Sequence, residues 1–188
     1  MLDRESAGVA QAQLLRRIAA QDRLALAEFY DQAAGPLFSL AMRILGDAHE
    51  AEEVIQDVFV QIWQKAAAFD AAVGAPLHWA LSITRNRSID RLRARQRRVR
   101  LANELEESAT AQPAIADSSP LLTEEELGVV RAAVRTLPGE QRQAIEMAFF
   151  GGMTHFEIAE TLKEPLGTIK ARIRRGMLKL RENLQPYV

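Results

Sequence analysis

The segment THFEIAETLKEPLGTIKARIRRGMLKLREN, residues Thr154 to Asn183, predicts two short helices joined by a tight turn. Thr154 and Glu157 have the spacing of a capping box, in which each side chain accepts a hydrogen bond from the other residue's backbone. Pro165 stands near the start of the second helix, where the first turn tolerates proline. The pattern predicts a helix-turn-helix unit, the geometry that places a helix in the major groove of DNA.

Both helices of this unit have an apolar side. In the first helix Ile158, Ala159 and Leu162 form it. In the second helix the residues expected to be buried are Leu166, Ile169, Ile173, Met177, Leu180 and Leu184. The other side of the second helix shows Thr168, Lys170, Ala171, Arg172, Arg174, Arg175 and Lys179. This basic side is typical of a DNA-binding helix, although an unrelated basic helical hairpin has the same pattern.

Apolar residues also recur at helical spacing along most of the remaining chain. One run extends from Leu14 to Ala34, and Gly35–Pro36 is expected to end it before LFSLAMRIL begins another helix. No alternation typical of a strand extends beyond a few residues. The sequence therefore predicts an all-α fold.

A helix with one apolar and one acidic side is expected next. Asp47 is placed to cap it, Glu50 to reach back to the cap, and the helix to run to about Phe69. Its apolar stripe is Ala51, Val54, Ile55, Val58, Phe59 and Ile62. The opposite side presents Glu53, Gln56, Asp57, Val60, Gln61 and Gln64. Spacing alone allows either a solvated surface or a docking surface for a basic partner helix, and the apolar Val60 favours docking.

A further helix is expected from about Leu77 into RNRSIDRLRARQRRVR, residues 85–100, with eight arginines and one acid. Its expected buried side is Leu77, Leu81, Ser88, Ile89, Leu92 and Val99, with Trp79, Ile83, Asn86, Asp90 and Arg97 roughly opposite. Because the arginines lie all round the helix, its end after about Leu92 is expected to project. Asp90 is placed to pair with Arg87 or Arg93.

The arginine run has two interpretations. A solvated, charge-rich helix end is one of them. The other is contact with phosphate or guanine, which the use of arginine without lysine favours, because its planar guanidinium binds both in bidentate fashion.

Charge is distributed in four blocks along a chain whose net charge is −1. Residues 1–84 carry −5, residues 85–100 carry +7, residues 101–130 carry −7, and residues 131–188 carry +4. Two positive blocks separated by an acidic one predict a protein that meets a polyanion at two places.

The acidic segment LANELEESATAQPAIADSSPLLT, residues 101–123, contains two prolines and shows no sustained period. It is expected to be an extended or disordered linker. The sequence therefore predicts a first domain at residues 9–100, the linker at 101–123, and a second domain at 124–188 that is helical to about Asn183.

Several classes of protein do not fit this composition. The chain has no cysteine, which argues against a disulfide framework and a thiolate metal site and favours the cytoplasm. No apolar run is long enough to span a membrane, and the N-terminal residues lack the apolar core of a secretory signal. His49, His78 and His155 are scattered, which supports neither a metal site nor a catalytic dyad.

Three segments carry a family resemblance. They are AEFYDQAAGPLFSLAMRILGDAHEAEEVIQDVFVQIWQ, WALSITRNRSIDRLRARQRR and LPGEQRQAIEMAFFGGMTHFEIAETLKEPLGTIKARIRRGMLKLRE. In this order they resemble the two halves of region 2 and then region 4 of the extracytoplasmic-function (ECF) sigma factors of bacterial RNA polymerase. Lys163 stands at a turn position where the family often has glycine, so left-handed backbone is expected there.

The resemblance implies roles for particular residues. Docking on the coiled coil of the polymerase's largest subunit is implied for Glu53, Gln56, Asp57 and Val60. Asn86, with the loop at about 69–76, would hold a flipped base of the minus-ten element. Arginines beside it would hold DNA phosphates, which gives the set Arg85, Arg87, Arg91, Arg93, Arg97 and Arg98. The minus-thirty-five element would be contacted by Thr168, Lys170, Ala171, Arg172, Arg174 and Arg175.

The function implied is that of a sigma factor, which is no enzyme and needs no cofactor or metal. It would bind core RNA polymerase and promoter DNA in the cytoplasm, would not insert into a membrane, and is expected to be held by an anti-sigma factor. A repressor or activator that binds duplex DNA through the helix-turn-helix alone is the alternative. An adaptor that acts only through protein contacts leaves both basic blocks unexplained.

Overall fold

A computed structural model of the chain describes residues 2–105 and 132–184, which form helices and turns and contain no strand. The expected all-α fold is confirmed. The chain divides into two compact units, Met1–Leu121 and Leu122–Val188. Within the two described ranges, no helix has the length and apolarity needed to cross a membrane.

The described part of the first unit contains four α-helices. They are α1 (Leu2–Ala19), α2 (Arg23–Leu45), α3 (Ala48–Lys65) and α4 (Pro76–Leu105), with one turn of 3-10 helix at Ala66–Ala68 after α3. Helix α2 packs against α1, α3 and α4.

The helix break expected at Gly35–Pro36 is wrong, because α2 continues through Pro36. The chain breaks instead before α2, where Gln21 has a φ of 66° and Asp22 accepts hydrogen bonds from the amides of Leu24 (2.9 Å) and Ala25 (3.2 Å). Proline removes one backbone hydrogen bond from a helix. The buried stripe of α2 is continuous on both sides of it, through Phe29, Ala33, Leu37 and Leu40. Tertiary burial therefore keeps the helix intact.

All six residues of the apolar stripe expected on α3 are buried, which confirms that prediction. Phe59 of this stripe contacts two rings of α2. Its ring centroid lies 6.4 Å from that of Phe29 and 4.7 Å from that of Tyr30. These contacts fix which side of α3 is left for solvent or a partner.

The cap expected for α3 is confirmed, because the Asp47 carboxylate accepts a 2.8 Å hydrogen bond from the Glu50 amide. The Glu50 side chain does not reach back to the cap as expected. Its carboxylate binds Arg95 of α4 instead. A charged partner from another helix has replaced the local contact.

The expected buried side of α4 is only partly right. Ser88, Ile89 and Leu92 are buried as expected, together with Ala80, Ile83 and Thr84. Ile83 was placed on the opposite side, and Val99, expected to be buried, is 47% exposed. The Thr84 hydroxyl tolerates burial because it donates a 3.0 Å hydrogen bond to the Ala80 carbonyl.

The end of α4 leaves the packed core later than expected. Arg95, one turn beyond Leu92, is still half-buried, and its guanidinium donates a 3.1 Å hydrogen bond to the Leu45 carbonyl at the end of α2. Residues 96–99 are exposed. The helix runs on to Leu105, so the first five residues of the expected linker are helical. The rest of the linker and the domain boundaries near residue 124 lie outside the described residues.

The second unit contains α5 (Gly139–Phe149), α6 (His155–Leu162) and α7 (Leu166–Leu184), and residues 132–135 are also helical. The capping box of α6 is confirmed. The Glu157 amide donates to the Thr154 hydroxyl at 3.2 Å, and the Thr154 amide donates to the Glu157 carboxylate at 2.6 Å. Lys163 ends α6 with a φ of 53°, which confirms the left-handed backbone expected at that turn.

Helix α7 does not bury every residue expected of its apolar stripe. Ile169 is fully buried, whereas Met177 is 53% exposed and Leu166 is also exposed. Gly176 is buried in place of Met177, at a close approach of α7 to α5. A Cβ atom at this glycine would lie 2.6 Å from Cδ1 of Ile145. Gly176 lies at the contact between the two helices, but a search for apolar side chains at helical spacing does not identify a glycine.

Candidate nucleic-acid interface

The outer side of α4 presents an amide and several arginines to solvent. Asn86, Arg87, Arg97 and Arg98 are exposed, and Arg85 and Arg93 are half-buried. The pKa of Arg85 is lowered from its ordinary value, first by burial of the guanidinium and then by the positive charge of Arg93. The second effect arises because like charges close together destabilise each other.

Arg91 and Arg95 point away from this outer side and toward α3. The guanidinium of Arg91 is ion-paired with the Glu53 carboxylate, and its Nε lies 3.9 Å from Glu50. Arg95 binds the other oxygen of Glu50 at 3.2 Å. Two acids of α3 and two arginines of α4 therefore form one network. Of these residues, Arg91 belongs to the predicted DNA-binding set and Glu53 to the predicted docking set.

A second contact between the same helices involves Arg87. Its Nε donates a 2.9 Å hydrogen bond to Oε1 of Gln61. Asp90 was expected to pair with Arg87 or with Arg93, and this contact with α3 takes the place of the first of these two pairings.

The polar side of α3 is divided by these contacts. Glu53 and Gln61 are engaged with α4, whereas Gln56, Asp57 and Val60 are exposed. Val60 exposes 56% of its surface beside these two polar side chains. The three residues form a compact patch of one carboxylate, one amide and one aliphatic side chain.

The loop between the 3-10 turn and α4 is braced at its base and exposed at its tip. The rings of Phe69 and Trp79 pack with centroids 5.6 Å apart. The Asp70 carboxylate accepts a 2.9 Å hydrogen bond from the Ala72 amide, which makes a turn, and Val73 is 86% exposed. An apolar side chain is thus presented to solvent on an ordered turn.

In α7 the predicted DNA-binding residues differ in exposure. Lys170, Arg174 and Arg175 are exposed, and Thr168 and Ala171 are half-buried. Arg172 is the exception, because only 14% of its side chain is exposed. It donates to Glu164 at 2.8 Å and is ion-paired with Glu140 at 2.9 Å. These carboxylates, Glu164 first, raise the pKa of Arg172.

The two units correspond to two protein families. The Sigma-70 region 2 family matches residues 29–98, and the Sigma-70, region 4 family matches residues 133–182. The ECF RNA polymerase sigma factor SigK of Mycobacterium bovis (strain BCG / Pasteur 1173P2) is 36% identical over 178 residues, which cover 91% of each chain. SigK of Mycobacterium ulcerans (strain Agy99) is 37% identical over the same length and coverage.

The chain belongs to the ECF sigma factor family. A sigma factor is a transcription initiation factor and not an enzyme. It binds core RNA polymerase and directs promoter-specific initiation. The region 2 match accounts for the first unit, which a repressor acting through the helix-turn-helix alone would leave unexplained.

Among solved structures, Rhodobacter sphaeroides SigE in complex with the anti-sigma ChrR is similar to this sigma factor. The sequence identity is 34%, the TM-score is 0.46, and the match covers 92% of this chain and 96% of that chain.

Some of the site residues predicted from the sequence are exposed, among them Asp57, Asn86 and Arg175, but others have partners in neighbouring helices that the sequence did not reveal. The Glu50–Arg95, Glu53–Arg91 and Gln61–Arg87 contacts join residues that are 26 to 45 positions apart. No local pattern signals such pairs. An indirect signal is the excess of acids near the start of α3, which have no lysine or arginine near them in their own helix.

Proposed function

We propose that this sigma factor docks on core RNA polymerase through the exposed patch of α3, formed by Gln56, Asp57 and Val60, with Glu53 at its edge. The exposure of Val60 between two polar residues is the observation that carries the proposal. An aliphatic side chain beside a carboxylate suits a basic, partly apolar helical surface, because the apolar contact adds to charge complementarity.

Asp57→Arg tests this docking surface. Reversing the charge is expected to weaken the affinity for core polymerase by about tenfold or more, since like charges across an interface repel. Asp57 is exposed, so the variant should unfold at the same denaturant concentration as the wild type. Affinity can be measured by competition with labelled wild-type sigma factor for purified core polymerase.

Asp31→Arg is the matched control, because it makes the same charge change at an exposed site on α2. The docking proposal predicts that it leaves the affinity close to that of the wild type. If both variants lose the same affinity for core polymerase, the effect is one of net charge, and the docking proposal is contradicted.

We propose further that α4 and the preceding loop capture the minus-ten element. Asn86 is exposed and would hydrogen-bond a flipped base, with the loop at 69–76 forming the rest of its site. Phosphates would be held by Arg85, Arg87, Arg93, Arg97 and Arg98. Arg91 could join this set only by parting from Glu53. Preferential binding of unpaired bases would shift the DNA toward the melted state.

In the second unit, α7 is proposed to contact the minus-thirty-five element. The exposed Lys170, Arg174 and Arg175 support this assignment, with Thr168 and Ala171 between them on the helix. Such residues read base edges and hold phosphates when a helix lies in the major groove. Arg172, the remaining residue of the predicted set, would first have to leave its two carboxylates.

The family also suggests regulation and location. We propose that an anti-sigma factor holds the free protein and that the protein acts in the cytoplasm. Promoter-dependent transcription with purified core polymerase, with and without a candidate anti-sigma factor, is the direct test. The proposal of regulation fails if initiation is unaffected by any anti-sigma factor encoded in the same genome.

A further inference from the structure

Arg172 differs from the other basic residues of α7 in its surroundings. Lys170, Arg174 and Arg175 are exposed, whereas Arg172 keeps only 14% of its side chain exposed. Its position in the sequence, in the middle of a basic helix, does not reveal this difference.

The guanidinium of Arg172 joins three parts of the second unit. Nη1 donates to Oε1 of Glu164, in the turn between α6 and α7, at 2.8 Å. Nη2 lies 2.9 Å from Oε2 of Glu140, in the first turn of α5. Arg172 itself is in the second turn of α7. The ion pairs therefore tie α7 both to the turn before it and to α5.

An arginine suits this position better than a lysine would. The two carboxylates bind different nitrogens of one planar group, which a rigid guanidinium can satisfy at the same time. A lysine ammonium is a compact point charge, so it would bind one carboxylate well and the other less well.

The apolar contact that holds α7 against α6 is small. Its buried core consists of Ile158, Ala159 and Ile169, with partly buried neighbours around it. The turn also contains Lys163 in left-handed backbone, which side-chain-bearing residues rarely adopt. The polar contacts at the turn therefore add to this cluster, and to the packing of α7 on α5 at Gly176, in fixing the angle of α7.

We propose that Arg172 is a positioning residue for promoter recognition. With Glu164 and Glu140, it holds α7 at the angle from which the exposed residues of that helix reach the minus-thirty-five element, and it makes no DNA contact itself. This inference rests on the proposed role of α7 as the helix that reads this element.

The test uses the full-length protein bound to core polymerase. Two promoter duplexes serve as probes. One carries the upstream element that the wild type selects from a randomised pool, and the other carries that element scrambled. The ratio of their dissociation constants measures discrimination, and the dependence of affinity on salt counts phosphate contacts.

Glu164→Gln is expected to lower discrimination by about tenfold, which corresponds to the loss of one charge-assisted hydrogen bond. Arg172→Ala, which also loses the contact with Glu140, should lower it by at least as much. The double variant should lose no more than Arg172→Ala alone, because Arg172→Ala already removes the contact with Glu164. Arg172→Lys should lose less, since it keeps the charge near Glu164.

Two comparison variants separate positioning from other roles. Glu160→Gln removes an acid from an exposed site on α6 and should keep the wild-type discrimination. Arg175→Ala removes an exposed arginine and should reduce the salt slope by about 0.9 if it holds one phosphate. Arg172→Ala should leave the slope unchanged. A loss of stability by itself does not change the ratio of dissociation constants, because the variants remain folded well below their unfolding temperature.

Several results would overturn the proposal. One such result combines two observations: Arg172→Ala reduces the salt slope as Arg175→Ala does, and Glu164→Gln keeps the wild-type discrimination. Arg172 then contacts DNA directly. The positioning role is also contradicted if Arg172→Ala and Glu164→Gln both keep the wild-type discrimination. If Arg172→Ala does not fold, Glu164→Gln decides, because it retains Arg172 and Glu140.

Failure of the underlying assignment gives a different result. If Arg175→Ala and Lys170→Ala change neither discrimination nor salt slope, α7 does not read the element. The positioning role then falls with it.

Discussion

Glu50→Gln removes the carboxylate that joins the beginning of α3 to α4. In the wild type one oxygen of Glu50 lies 3.2 Å from Nη1 of Arg95, and the other lies 3.9 Å from Nε of Arg91. The Glu50 side chain is 17% exposed, and the two arginines are 34% and 30% exposed. Glutamine preserves the size of the side chain, so the change removes charge with little loss of packing.

The expected loss lies between two known limits. Breaking a buried ion pair by removing one partner costs about 3–5 kcal/mol, and an exposed pair contributes about 0.2–1 kcal/mol. Since Glu50 is mostly buried and its partners are about one-third exposed, we expect the free energy of unfolding to fall by about 2 kcal/mol. In a domain of this size the midpoint of thermal unfolding would fall by about 8–16 °C.

Tryptophan fluorescence is a selective assay for this effect, because the two tryptophans, Trp63 and Trp79, are both in the first unit. Urea unfolding followed by this signal reports the stability of that unit. Glu52→Gln is the matched control, since it removes the same charge from an exposed position two residues further along α3. If the free energies of unfolding of the two variants differ by less than about 0.5 kcal/mol, Glu50 does not hold α4 to α3, and the ion-pair network does not stabilise this unit.

Two further predictions concern packing and pH. Gly176→Leu should destabilise the second unit by about 2 kcal/mol, because even a Cβ atom there would lie 2.6 Å from Cδ1 of Ile145. Amide hydrogen exchange in α5 and α7 measures this loss of stability. Gly167→Leu, at a glycine of the same helix with no atom near its Cβ position, is the control, and an equal effect there would contradict the packing argument. Hydrogen bonding to Arg17, followed by the Ala25 amide, lowers the pKa of Asp22. Stability from Asp22 is therefore present above its unfolded pKa of about 3.9 and lost as the pH falls through the lower folded value. The difference in thermal midpoint between wild type and Asp22→Asn should be constant near pH 7 and should shrink steadily as the pH falls below about 3.9, and a difference that does not change in acid would disprove this linkage.

The parts of the fold that the sequence predicted correctly depend on residues close together in the chain. The capping box of Thr154 and Glu157 and the cap at Asp47 each join residues three positions apart. The apolar stripe of α3 needs only the helical period, and all six of its residues are buried. Local geometry determines these features whatever packs against them.

The errors arose where distant packing outweighed a local signal. Pro36 is a helix breaker by its own chemistry, but the buried stripe on both sides of it keeps α2 continuous. Met177 has the helical spacing of a buried residue, yet the close approach of α7 to α5 places Gly176 there instead. In both cases a neighbouring helix decided which residue is buried.

The candidate site divides in the same way. The sequence by itself determined that two basic helices exist, that one follows a helix-turn-helix pattern, and that acids precede them on α3, because composition and helical period are local properties. Only the tertiary structure decided which of the arginines are exposed and which are bound by acids. Arg91, Arg95 and Arg172 are bound by carboxylates from other elements, whereas Arg97, Arg174 and Arg175 are exposed. The physical reason is that a guanidinium on a helix reaches acids brought near it by packing, and these acids lie far away along the chain or beyond a turn.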